Sequence, residues 1–161
     1  MRKEDTMKEL YRAEGILNRG FVGQITYTVC LEQPLDKLDI HFAFDAEKRR
    51  YRPEEVTDEL IRDTIESAFR NNGGLVIDEK RARDVILGDM KTEIHTLATL
   101  NDAFIGCIHK QLADRHMLYD GENASEGCIP QPSIDGVLKV TVLVFNVIKD
   151  GTRYVLSVSG E

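Results

Sequence analysis

The segment Leu38–Asp45, with the sequence Leu-Asp-Ile-His-Phe-Ala-Phe-Asp, alternates large apolar residues with polar or small ones. Successive side chains of a strand point to opposite faces of a sheet, so every second residue shares a face. The large apolar residues of this segment are Leu38, Ile40, Phe42 and Phe44. This period of two predicts a strand that rests one face on a core and turns the other, which carries His41, towards water.

The chain on either side of this segment also contains strand patterns. Residues 22–33 are rich in β-branched and aromatic residues, which favour strands. Pro34 is expected to end that strand, because proline cannot donate to a ladder. Residues 90–100 fit both a strand and a helix, and a strand is preferred. Further strands are predicted at 10–17 and 75–77.

Three segments show helical spacing. Pro53 is suited to a first helical turn, and the residues from 54 to 69 that follow carry one apolar stripe. A short helix is predicted at 81–87. The second principal helix is predicted at 101–116, where Asn101 or Thr99 could cap the N-terminus. Its apolar stripe is Phe104, Ile105, Ile108 and Leu112.

The chain closes with two strand-like segments, 137–148 and 152–159, separated by Asp150-Gly151. Asp-Gly is a preferred pair for a two-residue type I′ turn, so the sequence predicts a C-terminal β-hairpin. The first of these segments is apolar on both faces. Such a strand is expected in the middle of a sheet or beneath a subunit contact.

These elements predict an α+β fold, with a mainly antiparallel sheet, two principal helices on one face and a C-terminal hairpin. A length of 161 residues suits a single domain over 1–161. Residues 1–10 are interpreted as a ragged or weakly helical lead-in to it.

Composition limits where the protein acts and what it binds. No apolar run approaches the roughly 18 residues that cross a bilayer, so we expect no membrane association. The N-terminus has no hydrophobic segment behind it, and the three cysteines have no zinc-like spacing. Reduced thiols in the cytoplasm are therefore expected. A net charge of −7 makes nucleic acid an unlikely partner, although residues 48–52 and 80–83 form basic clusters that could bind an anionic partner.

Histidine and cysteine side chains supply the candidate site. The four candidates for ligand binding are His95, His109, His116 and Cys128, with Cys107 and His41 as neighbours. Imidazole and thiolate are ligands that zinc prefers, and the same groups can form a nucleophile pair. On a helix, however, residues seven apart are about 10 Å apart along the axis, too far to share one ion. The sequence therefore predicts no metal site, and it identifies no cofactor.

Two hypotheses of function follow. The leading one is a non-enzymatic ligand-binding or assembly protein that forms a homo-oligomer, because catalytic motifs are absent and the last hairpin is apolar on both faces. The alternative is a small intracellular enzyme. Its His, Cys and carboxylate groups would lie between the helix at 101–116 and the long polar loop at 119–136, a length that suggests function.

Overall fold

The computed structural model describes residues 7–110 and 112–161, which form nine strands and two α-helices. The strands are β1 (Lys8–Leu17), β2 (Gly23–Leu35), β3 (Lys37–Phe44), β4 (Glu93–Leu100), β5 (Ala103–Ile108), β6 (Asp114–Asp120), β7 (Asn123–Ala124), β8 (Ile134–Asn146) and β9 (Thr152–Gly160). The helices are α1 (Asp58–Asn71) and α2 (Glu79–Gly88), and two short 3-10 turns precede them at Ala46–Lys48 and Pro53–Glu55. Every strand pairing between these elements is antiparallel. The predicted α+β fold with mainly antiparallel strands is confirmed.

The strands form two sheets, a five-stranded one in the order β1-β9-β3-β6-β7 and a four-stranded one in the order β2-β8-β4-β5. Apolar side chains from both sheets belong to one buried cluster, so the sheets pack face to face as a sandwich. The alternation predicted for 38–45 is confirmed in β3, where every second residue is buried. Across the sandwich, the hydroxyls of Tyr27 and Tyr154 are 2.5 Å apart and join the two layers.

The two C-terminal strands follow one another as predicted, joined by a short link that contains Asp150-Gly151. Their hydrogen bonds run outwards, however: β8 pairs with β2 and β4, whereas β9 pairs with β1 and β3. The hairpin-like link therefore passes from one sheet to the other. The type I′ turn predicted there is wrong, because Gly151 has a positive φ and Asp150 does not.

Charged Arg115 is buried between the sheets, with 4% of its surface exposed. Its guanidinium donates to the carbonyl of Ile94 at 2.6 Å and, at 3.3 Å, to the carbonyls of Ile108 and Lys110. It also lies 5.0 Å from the centre of the Phe42 ring. Burial lowers the pKa of Arg115 to about 10, so the group stays protonated at neutral pH. Arg115 thus ties β6 in one sheet to the chain of the other.

The two helices pack mainly on each other and form a second, smaller apolar cluster. Helix α1 confirms the middle of the stripe predicted after Pro53, since Leu60 and Ile61 are buried, but it begins only at Asp58 and leaves Phe69 exposed. Thr57 caps the helix by accepting from the Leu60 amide. Buried Thr92 fastens the helices to the sandwich: its hydroxyl donates to the Lys48 carbonyl and accepts from the Ile148 amide. None of the described helices is long and apolar enough to cross a membrane.

The helix predicted at 101–116 is wrong, because the chain forms β5 and β6 there. Asn101 and Asp102 have φ angles of 52° and 65°, as the two central residues of a type I′ turn require. They connect β4 directly to β5, and the Asn101 side chain bonds to the backbone of Asp135 and Val137. Asn101, predicted as a possible helix cap, is therefore the first central residue of a hairpin turn.

Other predicted elements shift or disappear. The short helix predicted at 81–87 is confirmed within α2, and the strands at 10–17 and 90–100 are confirmed in β1 and β4. The strand predicted at 75–77 is wrong, since those residues have no regular structure. Pro34 does not end β2, but lies where its register with β8 shifts between Leu31 and Leu35. Of the predicted lead-in, residues 1–6 lie outside the described residues and Lys8–Leu10 begin β1.

The long segment at 119–136 closes one side of the sandwich. Strand β7 turns back onto β6, and the residues after it reach the edge of β5 in the other sheet. There the Cys107 amide donates to the Gly127 carbonyl, and the Ile129 amide donates to the Ile105 carbonyl. The loop is therefore a structural connection between the two layers.

Gly106 gives a direct test of this closure. A Cβ atom there would lie 2.8–2.9 Å from Tyr119, Cys128 and Met117. We expect Gly106→Ala to lower the free energy of unfolding by roughly 1–3 kcal/mol, the range typical of overpacking. Urea denaturation measures it. Gly88→Ala is the matched control, since nothing lies within 4 Å of a Cβ at Gly88, and equal losses in both variants would contradict the predicted packing.

The Glu55–Lys149 ion pair predicts an acid-sensitive part of the stability. Lys149 donates to Glu55 at 2.7 Å and, with the Arg52 amide, lowers the pKa of Glu55 from 4.5 to about 2. Because the folded pKa is lower, this contribution is complete above pH 4.5 and is lost as the pH falls towards 2. Urea denaturation measures the free energy of unfolding of the wild type and of Glu55→Gln. We expect the difference between the two values to become smaller as pH falls from about 6 to about 3.

Glu54→Gln is the control for that series. Glu54 lies one residue away, but its ion pair with Arg52 is exposed and should contribute little. If Glu54→Gln and Glu55→Gln lowered the free energy of unfolding by the same amount and with the same pH dependence, the contact with Lys149 would not be the cause of the loss.

Candidate functional site

The outward surface of the four-stranded sheet, here called the apolar face, carries few charges. Register and alternation place on it Gln24, Thr26, Thr28, Cys30, Glu93, His95, Leu97, Thr99, Phe104, Cys107, Asp135, Val137, Lys139, Thr141, Leu143 and Phe145. Of these strand residues, Glu93, Asp135 and Lys139 are charged. Lys139 is paired with Asp102 at 2.5 Å, at the rim beside the β4–β5 turn. The centre of the face is therefore uncharged.

Aromatic residues lie open on the apolar face. Phe104 and Phe145 are 50% and 52% exposed, and Leu97 and Leu143 between them are half-buried. The His95 ring is 4.5 Å from the Phe145 ring, centre to centre. Because α1 and α2 bury their apolar residues in a cluster of their own, the helices leave this face uncovered.

The outward surface of the five-stranded sheet, here called the charged face, has the opposite composition. Its strand residues are Arg12, Glu14, Ile16, Lys37, Asp39, His41, Ala43, Asp114, His116, Leu118, Asp120, Arg153, Val155, Ser157 and Ser159. Many of these side chains pair with one another, as Arg12 does with Glu14 at 3.0 Å. Such a surface is typical of solvent contact.

Two histidines and two aspartates form a crossed cluster on the charged face. His41 on β3 lies directly opposite His116 on β6, and their rings stack with centres 4.1 Å apart and an 8° tilt. His41 Nε2 is 2.9 Å from Asp114 Oδ1, and His116 Nδ1 is 3.0 Å from the Asp39 carboxylate. Each histidine is thus bonded to the aspartate of the neighbouring strand.

One carboxylate oxygen of this cluster, Asp114 Oδ1, lies close to the rings of both His41 and His116. Asp114 Oδ1 is also 3.8 Å from His116 Nε2, so the Nε2 atoms of both histidines approach it. Ligand atoms of His41, Asp114 and His116 all lie within 4.8 Å of one another. Imidazole and carboxylate are groups that divalent metals bind, and these three are partly exposed.

The structure brings two of the four predicted site residues, His95 and His109, near each other, and it separates them from His116 and Cys128. His95 lies on the apolar face, where its Nε2 is 3.1 Å from Glu93, and the ring of His109 is 6.1 Å from it. His116 lies on the opposite face of the sandwich, and Cys128 lies at the edge of β5. Since the helix at 101–116 is absent, the site predicted between it and the loop does not form as predicted.

The cysteines of that hypothesis have structural surroundings. Cys128 Sγ accepts a hydrogen bond from Ser125 Oγ at 3.6 Å and lies beneath Gly106. Burial raises the pKa of the Cys107 thiol, which disfavours the thiolate that a nucleophile requires. This environment does not favour a Cys/His catalytic pair.

Three basic side chains of the first cluster, residues 48–52, bond to other parts of the protein. Lys48 donates to the carbonyl of Asp150 and Arg50 to that of Gly88, while Arg52 pairs with Glu54. These bonds join the loop before α1 to the helices and to the β8–β9 link. They give the first basic cluster a structural role that needs no anionic partner.

His41, Asp39 and Asp114 were not among the predicted ligand-binding residues. A signal for them was present: both strands contain the sequence Asp-x-His, as Asp39-Ile40-His41 and Asp114-Arg115-His116. In a strand this spacing puts the aspartate and the histidine on the same face. The second copy lies in the segment predicted as a helix, where residues two apart do not share a face.

Comparison with known proteins identifies a family. Residues 7–161 match a family described as "Family of unknown function (DUF6669)". No curated protein and no solved structure matches the chain.

The chemistry of Cys107 can be tested directly. We expect its thiolate to appear at higher pH in the folded than in the unfolded protein, because burial disfavours the charged form. The measurement is the pH dependence of alkylation by iodoacetamide, followed by peptide mass spectrometry in native buffer and in urea. Faster alkylation of Cys107 in the native protein at neutral pH would revive the nucleophile hypothesis.

Proposed function

The chain belongs to this family, whose description assigns no activity, and we propose from its geometry that it is a non-enzymatic assembly protein that forms a homo-oligomer through the apolar face. The single observation that carries the proposal is the pair of half-exposed phenylalanines, Phe104 and Phe145, on a sheet surface with an uncharged centre. Contiguous exposed apolar surface of this kind is typical of interaction sites.

The composition of the face supports an interface. The cores of protein interfaces are depleted of charged residues and enriched in aromatic ones, and their rims are polar. Leu97, Thr141 and Leu143 lie near the centre of the apolar face, whereas Phe145 lies close to the end of β8 and the Lys139–Asp102 pair lies beside the β4–β5 turn. The charged face shows that outward strand positions of this protein can carry many charged residues. The low charge of the apolar face therefore favours a protein interface over solvent contact.

A second copy of the chain is the proposed partner because a sheet surface can pack on itself. Two antiparallel sheets stack face to face about 10 Å apart, with their side chains interdigitated. A two-fold axis through such a contact presents the same patch to itself, the commonest arrangement among soluble oligomers. Thr26 and Thr28 on β2 are small and uncharged, so they would bring no unpaired charge into such a contact.

The proposal includes the setting of the protein. We place it in the cytoplasm, a location supported by three free cysteines, Cys30, Cys107 and Cys128. We also treat the chain as a single domain, because the family match extends from residue 7 to residue 161. Both parts extend the expectations drawn from the sequence.

Self-association can be tested by one charge in the apolar face. We expect the wild type to sediment above the 18.3 kDa of one chain, and Phe145→Glu to sediment as a monomer, because it would bury an unpaired carboxylate in the contact. Analytical ultracentrifugation over a range of concentrations measures both. We expect Phe145→Glu to weaken self-association at least tenfold, which corresponds to about 1.4 kcal/mol.

Phe69→Glu is the matched control. Phe69 is 55% exposed, similar to Phe145, but lies on α1, away from the apolar face. It should leave the mass unchanged. A wild type that stays monomeric at high concentration, or a Phe69→Glu variant that dissociates in place of Phe145→Glu, would refute this interface.

A further inference from the structure

We propose that His41, Asp114 and His116 form a binding site for a divalent transition-metal ion of the zinc class on the charged face. The inference goes beyond the proposed self-association, since it concerns the opposite surface of the sandwich and different residues. It depends on the geometry of two paired strands, one from each half of the chain.

The three ligand atoms are already gathered. In a metal site, His nitrogens lie about 2.0–2.1 Å and carboxylate oxygens about 2.0–2.2 Å from zinc, so two ligand atoms of one ion are separated by less than about 4.3 Å. The candidate atoms lie within 4.8 Å of one another, and Asp114 Oδ1 is 2.9 Å from His41 Nε2. Small rotations of two partly exposed rings are enough to open the stack around an ion.

The backbone beneath the cluster is held firmly. Strand β3 lies inside the sheet, between β9 and β6, so hydrogen bonds on both sides fix the position of His41. On β6, the residue between the two ligands is Arg115, whose buried guanidinium anchors the strand to the other sheet. Sites built on rigid strands hold their ligands more accurately than sites on loops.

Asp39 provides the group that orients a metal-binding histidine. It contacts Nδ1 of His116, which leaves Nε2 of the same ring facing Asp114. Histidine ligands typically donate their other ring N–H to a carboxylate, which fixes the tautomer and makes the ligand nitrogen more basic. Of the two aspartates in the cluster, Asp39 is the less exposed, at 18% against 66% for Asp114.

The ligand set selects the class of metal. Two imidazoles and one carboxylate suit zinc, copper, nickel and other transition metals, whereas calcium and magnesium prefer sites made of oxygen atoms. Three protein ligands also leave at least one position open to water. The exposure of His116, at 46%, provides access for the ion.

The test is a titration of the full chain with Zn²⁺ alone, by isothermal calorimetry in a non-chelating buffer near neutral pH. We expect one ion per chain, and a loss of affinity of at least about 100-fold in His116→Ala and in Asp114→Asn. Asp39→Asn should weaken binding by about 10–100-fold, the range for groups that orient a ligand. Asp39→Asn keeps the size of the side chain, and circular dichroism checks that each variant is folded.

His95→Ala combined with His109→Ala is the matched control. These two histidines are also neighbours, with ring centres 6.1 Å apart and Glu93 beside them, but they lie on the apolar face. This double variant should bind Zn²⁺ as the wild type does, and so should Phe145→Glu, which separates this result from the test of self-association. Wild-type affinity weaker than about 1 mM, or loss of binding in the His95/His109 variant alone, would overturn the proposal.

Histidine NMR gives a second readout that does not depend on heat of binding. Zn²⁺ should shift the ring resonances of His41 and His116 and leave those of His95 and His109 in place. Shifts confined to His95 and His109 would place the ion on the wrong face and refute the assignment.

Discussion

The structure depends on the burial of the apolar sides of β8 and β9 against each other's layers. Each is an interior strand of its sheet, and a short link joins them. Val140 and Val142 from β8 are fully buried, as are Leu156 and Val158 from β9, all in one cluster. The other strands of each sheet extend it on both sides of β8 or β9, so they share the orientation of that strand. The link, which holds the apolar sides of β8 and β9 together, therefore fixes which face of each sheet points into the core. It thereby fixes the composition of both outer faces.

Buried polar groups then set how the ends of the sandwich close. Arg115 donates to two carbonyls of the other sheet, those of Ile94 and Ile108, and to one in the link between β5 and β6. Thr92 bonds both to the loop before the helices and to the residue Ile148 just after β8. A buried carbonyl without a donor costs about 1–3 kcal/mol, so such bonds select one arrangement over looser ones. The Thr92 bonds join the sandwich to the loop that precedes the helices, and the helices bury their apolar residues in a cluster of their own.

The sequence predicts the fold where periodicity is undisturbed, and misleads where it is interrupted. The alternation at 38–45 and the stripe of α1 are regular, and both elements were predicted. In β5 the register with β4 shifts between Ala98 and Thr99, so Ile105 and Gly106 both face inwards. That irregularity produces an apparent helical spacing at Phe104, Ile105 and Ile108. Pairing across 75 residues of chain, which brings His41 opposite His116, has no local signal of its own.

The two outer faces solve different physical problems, and their residues show it. A contact between protein surfaces excludes water, so every charge inside it must be paired or becomes costly. A metal site needs the reverse, ionised carboxylates and free imidazoles that water and ions can reach. The apolar face has Phe145 and Leu143 where the charged face has Asp114 and His116, although both are outward surfaces of antiparallel sheets. Because an alternating strand contributes to one outer face alone, a sandwich can hold both functions with no exchange of residues between them.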